Sequence, residues 1–450
     1  MNRFALIIPI CALLFLSFVA GTFVMFFERF PSEHLERAYK ALRAQYFVIF
    51  VSEDPTRRDW QDQRTANKAF IDSLPDGLKT YGVSSHDAGL AYSGYTIYSA
   101  GSASFPVQLI DMQGNPVHEW RLPVEQLSGP ALNIELEKPQ QVQIRRVSLQ
   151  PDGSLLMVIC YFLQHTPYGL GVVKLDRDSN ILWQNLNNAH HDVDLLADGR
   201  IFVLTHHVES VSPEWPEGVK APYIAETVTI LDQDGNTLKT VSLLNAMREA
   251  RYAAAAQYIE GGEGLGDIMH TNSIDVVEPD TLTHIPGAKV GDALISVRNS
   301  DTLVLLDTEQ EKVTWAARGV WHRQHDADLL ENGNILLFDN QGGLAGFKRT
   351  RILEIDPRTM GIEWQYPEDG ANVMHSQVLG SQQRLPNGNT LITVSQEGRL
   401  LEVTQSGQLA WEFLLPQILI YEMNGETARA DVYSGQRFSG EELDFEFNLQ

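Results

Sequence analysis

The sequence is poor in cysteine, with only Cys11 and Cys160 in 450 residues. Cys11 lies in an apolar N-terminal run and Cys160 in a segment with the pattern of a β-strand, so we expect no disulfide between them. A fold stabilised by a disulfide framework is therefore excluded. Stability must come from packing, and a hydrophobic content of 43% is sufficient for a large core.

Positive charge is scarce as well. The 34 Lys and Arg residues are outnumbered by 58 Asp and Glu residues, which gives a net charge of −24, and the basic residues form no cluster. Nucleic-acid binding needs clustered Lys and Arg at the phosphates, so we expect no nucleic acid among the partners. An anionic small molecule would need a local group of arginines and histidines within this acidic surface.

Charged residues are absent from residues 4–27. About 20 apolar residues span a bilayer, whereas the apolar core of a cleaved signal peptide has roughly 7 to 15. We therefore expect residues 1–30 to form an uncleaved, single-pass transmembrane anchor. Residues 31–81 carry apolar side chains at helical spacing, which predicts a short helical stalk or docking segment.

One sequence template recurs along the rest of the chain. Runs of β-branched and aromatic residues are separated by Asp-Gly or Asn-Gly pairs, which predict hairpins. In four copies the turn glycine is Gly153, Gly199, Gly333 or Gly388, and a second hairpin ending in Trp or a similar residue follows. Two further copies lie at residues 91–120 and 273–315, and in the latter residues 278–292 replace the short inner turn.

Six copies of a four-strand unit, spaced by the ~40 to 50 residues of one blade, predict an all-β fold, a six-bladed β-propeller. We place the propeller at residues 82–420 and a C-terminal tail at residues 421–450. A pair of β-sandwiches is the alternative, but it would not need one motif repeated at a fixed period. Residues 246–258 interrupt the pattern and are predicted to be helical.

Histidines recur at the start of the copies. The first strand of a blade lines the central channel, so residues just before each first hairpin lie near the axis. A single histidine is most often a structural hydrogen-bonding group, but hairpin packing does not require three at equivalent positions, so we expect a functional cluster. The segments are His190-His191-Asp192, His270-Thr271-Asn272, residues 322–326, His375-Ser376 and Gly380-Ser381-Gln382. His165, His206 and His207 have no matching copy and are interpreted as structural or loop residues.

Two chemistries fit several histidines with an arginine. A metal site would need three or four converging His, Asp or Glu ligands. Alternatively, Arg298 and imidazoles hold a sulfuryl or phosphoryl group while one histidine attacks it. Arg298 and Asn272 favour the anion, because a guanidinium beside a divalent cation is electrostatically unfavourable. We therefore expect no metal and no cofactor.

Four segments carry a resemblance to a known family, the bacterial arylsulfate sulfotransferases, over roughly residues 85–415. They are residues 270–275, residues 294–299, residues 324–326 with 338–340, and residues 380–391. The resemblance implies a six-bladed propeller outside the cytoplasm. It also implies transfer of a sulfuryl group from an aryl sulfate to a phenol through a sulfated histidine, without a nucleotide donor.

The resemblance further implies roles for individual residues. His325 would be the nucleophile, His270, Asn272 and Arg298 would hold the sulfuryl oxygens, and His191 would be a further site histidine or acid/base. His375 and Ser381 precede the first hairpin of the last copy and are expected to contact the substrate. Two other functions remain open: a non-catalytic, membrane-anchored binding or assembly module, since propellers serve many functions, and a metal-dependent hydrolase.

Overall fold

The computed structural model describes residues 81–448, except residues 129–141, 162–168, 216–218, 220, 249–265, 282, 343–348, 369–373, 417 and 421–426. The predicted anchor, nearly all of the predicted stalk and residues 249–258 of the predicted helix lie outside the described residues. Among the residues described, no helix is long and apolar enough to cross a membrane. Cys160 is buried and unpaired, and Cys11 lies outside the described part.

Six antiparallel sheets follow one another along the chain and confirm the predicted six-bladed β-propeller. The N-terminal strand is β1 (Gly82–His86). Blade 1 contains β2 (Tyr95–Ala100), β3 (Val107–Ile110) and β4 (Pro116–Trp120). Blade 2 contains β5 (Val142–Leu149), β6 (Leu155–Tyr161), β7 (Gly169–Leu175) and β8 (Ile181–Asn185). Blade 3 contains β9 (Ala189–Leu195), β10 (Ile201–Glu209), β11 (Tyr223–Leu231) and β12 (Thr237–Ser242), and helix α1 (Leu243–Arg248) follows it.

The second half repeats this plan. Blade 4 contains β13 (Thr271–Val276), β14 (Ala293–Val297), β15 (Thr302–Asp307) and β16 (Lys312–Arg318). Blade 5 contains β17 (His325–Leu329), β18 (Ile335–Gly342), β19 (Arg349–Asp356) and β20 (Gly361–Tyr366). Blade 6 contains β21 (Ser381–Arg384), β22 (Thr390–Val394), β23 (Arg399–Val403) and β24 (Leu409–Leu414). The remaining strands are β25 (Ile418–Ile420), β26 (Thr427–Arg429) and β27 (Val432–Phe438), and single 3₁₀ turns lie at Val124–Gln126, Arg298–Ser300 and Ser395–Glu397.

The predicted turn glycines join the first two strands of four blades. Gly153, Gly199, Gly333 and Gly388 have φ angles of 81°, 86°, 85° and 86°. Side chains with a Cβ rarely adopt this left-handed conformation, which explains why the template requires glycine there. In blade 4 the chain instead takes the longer path from Val276 to Ala293, as the sequence indicated.

The first and the last described strands complete blades 6 and 1. Strand β27 is the innermost strand of blade 1, where Gln436 pairs with Ile97 of β2. Strand β1 adds a fifth, outer strand to blade 6, where Val83 pairs with Phe413 of β24. The segment 421–450, which we expected to follow the propeller as a tail, thus contributes an inner strand. The physical reason is that blade 1 has no strand of its own before Tyr95, and pairing with β27 satisfies its inner edge.

The recurring tryptophans join neighbouring blades. Each lies in the fourth strand of its blade and donates its indole N–H to a turn carbonyl of the next blade, so the hydrophobic ring is buried or half-buried while its polar atom is satisfied. The bonds run from Trp120 to Gly153 (3.0 Å), Trp183 to Gln233 (3.0 Å), Trp364 to Gln405 (2.8 Å) and Trp411 to Met112 (3.0 Å). This contact accounts for the tryptophan in the repeated template.

Candidate active site

Hydrogen bonds between neighbouring inner strands set the register around the channel. The free edge of each inner strand faces the channel, and its backbone N–H groups need acceptors there. For one N–H of the inner strand in blades 4, 5 and 6, a side chain on the preceding blade is the acceptor. The bonds are donated by Ile274 to Asp192 (3.0 Å), by Ala327 to Ser273 (2.9 Å) and by Gln382 to Asp326 (2.8 Å).

This register makes Asp192, Ser273 and Asp326 equivalent positions in blades 3, 4 and 5. One residue earlier in each strand lie His191, Asn272 and His325, so these three stand at the same end of the channel, which we call the channel mouth. His270 lies two residues before Asn272. The sequence predicted that these segments occupy equivalent positions at the channel entrance. The structure adds that His191, Asn272 and His325 correspond to one another.

Four histidine rings contact one another at the mouth. The ring of His191 lies 5.0 Å, centroid to centroid, from both His190 and His270, and His190 stacks on His206 at 5.1 Å. We call these four residues the histidine cluster. His206 was interpreted as structural, and its Nε2 accepts a backbone hydrogen bond from Gly169 at 3.1 Å. Its ring nevertheless belongs to the cluster, because it stacks on the ring of His190.

Three of the four imidazoles in the histidine cluster, those of His190, His191 and His206, are kept uncharged by burial. Burial lowers the pKa of His190 and His191 well below the usual range, and neighbouring histidines lower it further. Burial also lowers the pKa of His206 to about 4. The Nδ1 atoms of His190 and His191 lie 2.8 Å apart, so one of them donates and the other accepts. The two neutral rings are therefore opposite tautomers.

Two carboxyl groups flank the cluster, and their pKa values are shifted in opposite directions. Asp267 accepts a 2.5 Å hydrogen bond from Nδ1 of His270. Burial alone would raise the pKa of Asp267, but His270 and Arg298 lower it below its ordinary value. Burial and the nearby Asp267 raise the pKa of Glu226 well above its ordinary value. The carboxyl group of Asp267 thus holds His270, and that of Glu226, which accepts hydrogen bonds from the backbone N–H of Thr271, lies 3.9 Å from Nε2 of His190.

His325 is held by hydrogen bonds at one of its two ring nitrogens, Nδ1. Its side chain is buried, and Nδ1 lies 2.7 Å from Oδ1 of Asn340 and 3.2 Å from the carbonyl oxygen of Arg323. Burial lowers the pKa of His325 well below its ordinary value, and the charge of Arg298 adds to this effect. The neutral ring makes its described hydrogen bonds through Nδ1, which leaves Nε2 for a ligand.

Arg298 and Asn272 complete the mouth beside His325. Arg298 opens the 3₁₀ turn after β14, is 5% exposed, and its charge lowers the pKa of both His325 and Asp267. Asn272 donates through Nδ2 to the carbonyl oxygen of Gln324 at 2.8 Å. Its buried Oδ1 has no partner among the described residues. The site therefore combines a fixed positive charge with a buried acceptor that a ligand can satisfy.

The last two predicted residues lie in different surroundings. Ser381, the first residue of β21, is buried, and its Oγ has no partner within the described part of the chain. It is the blade 6 counterpart of Asp326. His375 is exposed, and its backbone N–H donates to Glu397 of blade 6 at 2.9 Å. The described contacts of His375 do not reach the histidine cluster.

Several site residues were not predicted. Asp267, Glu226 and Asn340 contact the predicted histidines from other strands or loops, and only Asn340 belonged to a segment that carried the family resemblance. Arg145 of β5 lies over the ring of Tyr433 in β27, 4.7 Å from its centroid, and its charge contributes to the lowered pKa of His191. No pattern marked Tyr433, because β27 was not recognised as a blade strand.

Further along the inner strands, the polar groups are carboxylates. Arg146 bridges Asp192 (3.0 Å) and Asp326 (2.8 Å). We call the buried or half-buried aspartates of these strands the carboxylate ladder: Asp192, Asp194, Asp275, Asp326 and Asp328. Burial raises the pKa of Asp192 to about 6 and that of Asp194 to about 7. Within the described ranges, no three His, Cys, Asp or Glu side chains converge as a metal ion requires.

Comparison with known proteins finds a match to one protein family. A family model described as arylsulfotransferase matches residues 148–415. No curated protein matches the sequence. A solved protein of unknown function from Bacteroides caccae is 13% identical, covers 71% of this chain and 94% of that chain, and has a TM-score of 0.46. Virginiamycin B lyase from Staphylococcus aureus is 12% identical, covers 60% of this chain and 69% of that chain, and has a TM-score of 0.33. Structural similarity at this level carries no argument about activity.

Proposed function

Because the chain belongs to the arylsulfotransferase family, we propose that it transfers a sulfuryl group from an aryl sulfate ester to a phenol by way of a sulfated His325. The observation that carries the proposal is the state of His325: a buried, neutral imidazole bound through Nδ1, with the guanidinium of Arg298 beside it. A neutral imidazole nitrogen is a nucleophile, and a guanidinium stabilises an anionic group that it attacks.

In the first half-reaction, Nε2 of His325 attacks the sulfur of the aryl sulfate. The S–N bond forms, the S–O bond to the ring breaks, and the electron pair leaves with the phenolate oxygen. Arg298 offsets the charge on the sulfuryl oxygens in the transition state. His270 protonates the departing phenolate, and Asp267 orients the His270 ring by accepting a hydrogen bond from its Nδ1.

In the second half-reaction, a phenol takes the sulfuryl group from His325. The phenol oxygen attacks sulfur, the S–N bond breaks, and the electron pair returns to Nε2. His270, which lost its proton in the first step, takes the phenol proton and returns to its starting state. No nucleotide, metal or cofactor enters either step.

The direct test is transfer between 4-nitrophenyl sulfate and phenol by the purified chain. We expect release of nitrophenolate together with formation of phenyl sulfate, detected by absorbance and mass spectrometry. His325→Ala should lower the rate by at least about 10³-fold, because the nucleophile is removed. Absence of transfer to every phenol tried would refute the activity, and undiminished transfer by His325→Ala would refute the nucleophile.

A further inference from the structure

The side-chain amide of Asn340 can be oriented from its partners. Asn340 is 1% exposed, and its Nδ2 lies 2.7 Å from the carbonyl oxygen of Ser376 and 2.6 Å from that of Leu379. Both partners only accept hydrogen bonds, so the amide nitrogen must face them. The reverse orientation would place Oδ1 against two carbonyl oxygens. Oδ1 of Asn340 therefore faces His325.

Nδ1 of His325 thus lies between two acceptors, Oδ1 of Asn340 at 2.7 Å and the carbonyl oxygen of Arg323 at 3.2 Å. A ring nitrogen surrounded by acceptors must carry the proton. A neutral imidazole has a single N–H, so the lone pair of His325 is on Nε2.

The carbonyls that orient Asn340 are themselves fixed. The backbone N–H of Ser376 donates to Oγ1 of Thr350 at 2.9 Å, and that of Gln377 donates to Oε1 of Gln396 at 2.6 Å. Strands of blade 5 and the 3₁₀ turn of blade 6 therefore hold the loop between the two blades. The orientation of one amide is over-determined, which is what a precise site requires of its supporting groups.

We propose that Asn340 is a positioning residue that fixes His325 as the Nδ1–H tautomer, so that Nε2 is the only nucleophilic nitrogen. This inference rests on the proposed function. The proton stays on Nδ1 throughout: the S–N bond forms at Nε2 in the first half-reaction, and when it breaks in the second, a neutral imidazole leaves. A carboxylate at position 340 would draw that proton and make the imidazole a poorer leaving group, whereas a neutral amide holds it without taking it.

A measurement without substrate tests the tautomer. In two-bond nitrogen–proton correlation spectra of histidine-labelled protein, His325→Gln identifies the signals of His325 among the 13 histidines. We expect the Nδ1–H pattern in the wild-type protein and a mixture of tautomers in Asn340→Ala. Asn389→Ala is the matched control, since Asn389 is a buried amide that also donates two hydrogen bonds, to Leu90 (2.7 Å) and Glu402 (2.7 Å). An Nε2–H pattern in the wild type, or an unchanged pattern in Asn340→Ala, would overturn the inference.

Kinetics then connect the tautomer to transfer. Asn340→Ala should lower kcat by about 10- to 100-fold with little change in KM, while Asn389→Ala stays near the wild-type rate. Asn340→Asp should move the acid limb of the pH–rate profile to higher pH, because a carboxylate favours protonated His325. Equal rates for Asn340→Ala and the wild type would contradict the positioning role. Should the wild-type protein transfer no sulfuryl group while its spectra show the Nδ1–H tautomer, the proposed function fails and the role of Asn340 stands.

Discussion

The channel mouth and the carboxylate ladder are built on the same inner strands, yet they treat buried polar groups in opposite ways. In the ladder, Asp192 and Asp326 each accept a backbone hydrogen bond and also bind Arg146. At the mouth, Nε2 of His190 and Oδ1 of Asn272 are buried and have no partner within the described part of the chain. Buried polar groups are normally satisfied, and a bound ligand can satisfy the two at the mouth.

Left-handed backbone conformations are concentrated at the mouth. His191, His270 and Arg323, which lie at or beside the mouth, have φ angles of 57°, 52° and 57°. A left-handed conformation costs a non-glycine residue of order 1 kcal/mol, and such residues collect at functional sites. Of the five ladder aspartates, only Asp326, which directly follows His325, has a positive φ angle, at 48°. The comparison teaches that the charged side chains of the ladder are held by hydrogen bonds and ion pairs, whereas polar atoms at the mouth are left for a ligand.

The largest effect should follow from breaking the ladder. Arg146→Met removes the cation between Asp192 and Asp326, and an uncompensated buried charge costs about 3–5 kcal/mol. We expect this loss in the free energy of unfolding, measured by chemical denaturation. Arg177→Met, at an exposed arginine 3.8 Å from Asp178, is the control and should change stability by about 0.5 kcal/mol or less. Equal stability of the two variants would mean that Arg146 does not hold the ladder together.

A smaller effect should follow at the mouth. Asp267→Asn removes the carboxylate that accepts the hydrogen bond from Nδ1 of His270, so proton donation by His270 should weaken and transfer from an ester of a weakly acidic phenol should slow by about 10²-fold. The loss should be smaller with 4-nitrophenyl sulfate, whose phenolate departs without protonation. Steady-state rates with the two donors measure the difference. A uniform loss with both donors would indicate a structural role for Asp267 and remove His270 as the acid.

The smallest effect should come from pH. The folded-state pKa of Asp194 is raised to about 7, against an ordinary value of about 3.9, so its contribution to stability is lost as the pH rises from about 4 through about 7. Asp194→Asn mimics the protonated form and should stabilise the protein by about 1–2 kcal/mol at about pH 8, and by less at about pH 5. Denaturation at both pH values checks this, and a pH-independent difference between variant and wild type would contradict it.

Much of the propeller could be predicted because each blade carries its own local signal. The glycines of the first hairpins and the tryptophans of the outer strands act within or next to one blade, so they leave a repeating trace in the sequence. Strand β27 has no such trace. Its partner β2 lies at the other end of the chain, and Gln436 meets Ile97 only because the ring closes.

The candidate site shows the same division. His191, Asn272 and His325 could be predicted because equivalent copies place them at one end of the channel. Asp267 and Asn340 could not, because their roles depend on contacts of single side chains with His270 and His325. Spacing in the sequence carries no information about such contacts.

The most direct test of the account is the covalent state of His325 during turnover. The protein is mixed with an aryl sulfate in the absence of a phenol, quenched at alkaline pH, digested and analysed by tandem mass spectrometry. We predict one sulfuryl group, located on His325, that disappears when a phenol is added before the quench and is missing from His325→Ala. Transfer to a phenol without any sulfated His325, or a sulfuryl group on a different residue, would contradict the account.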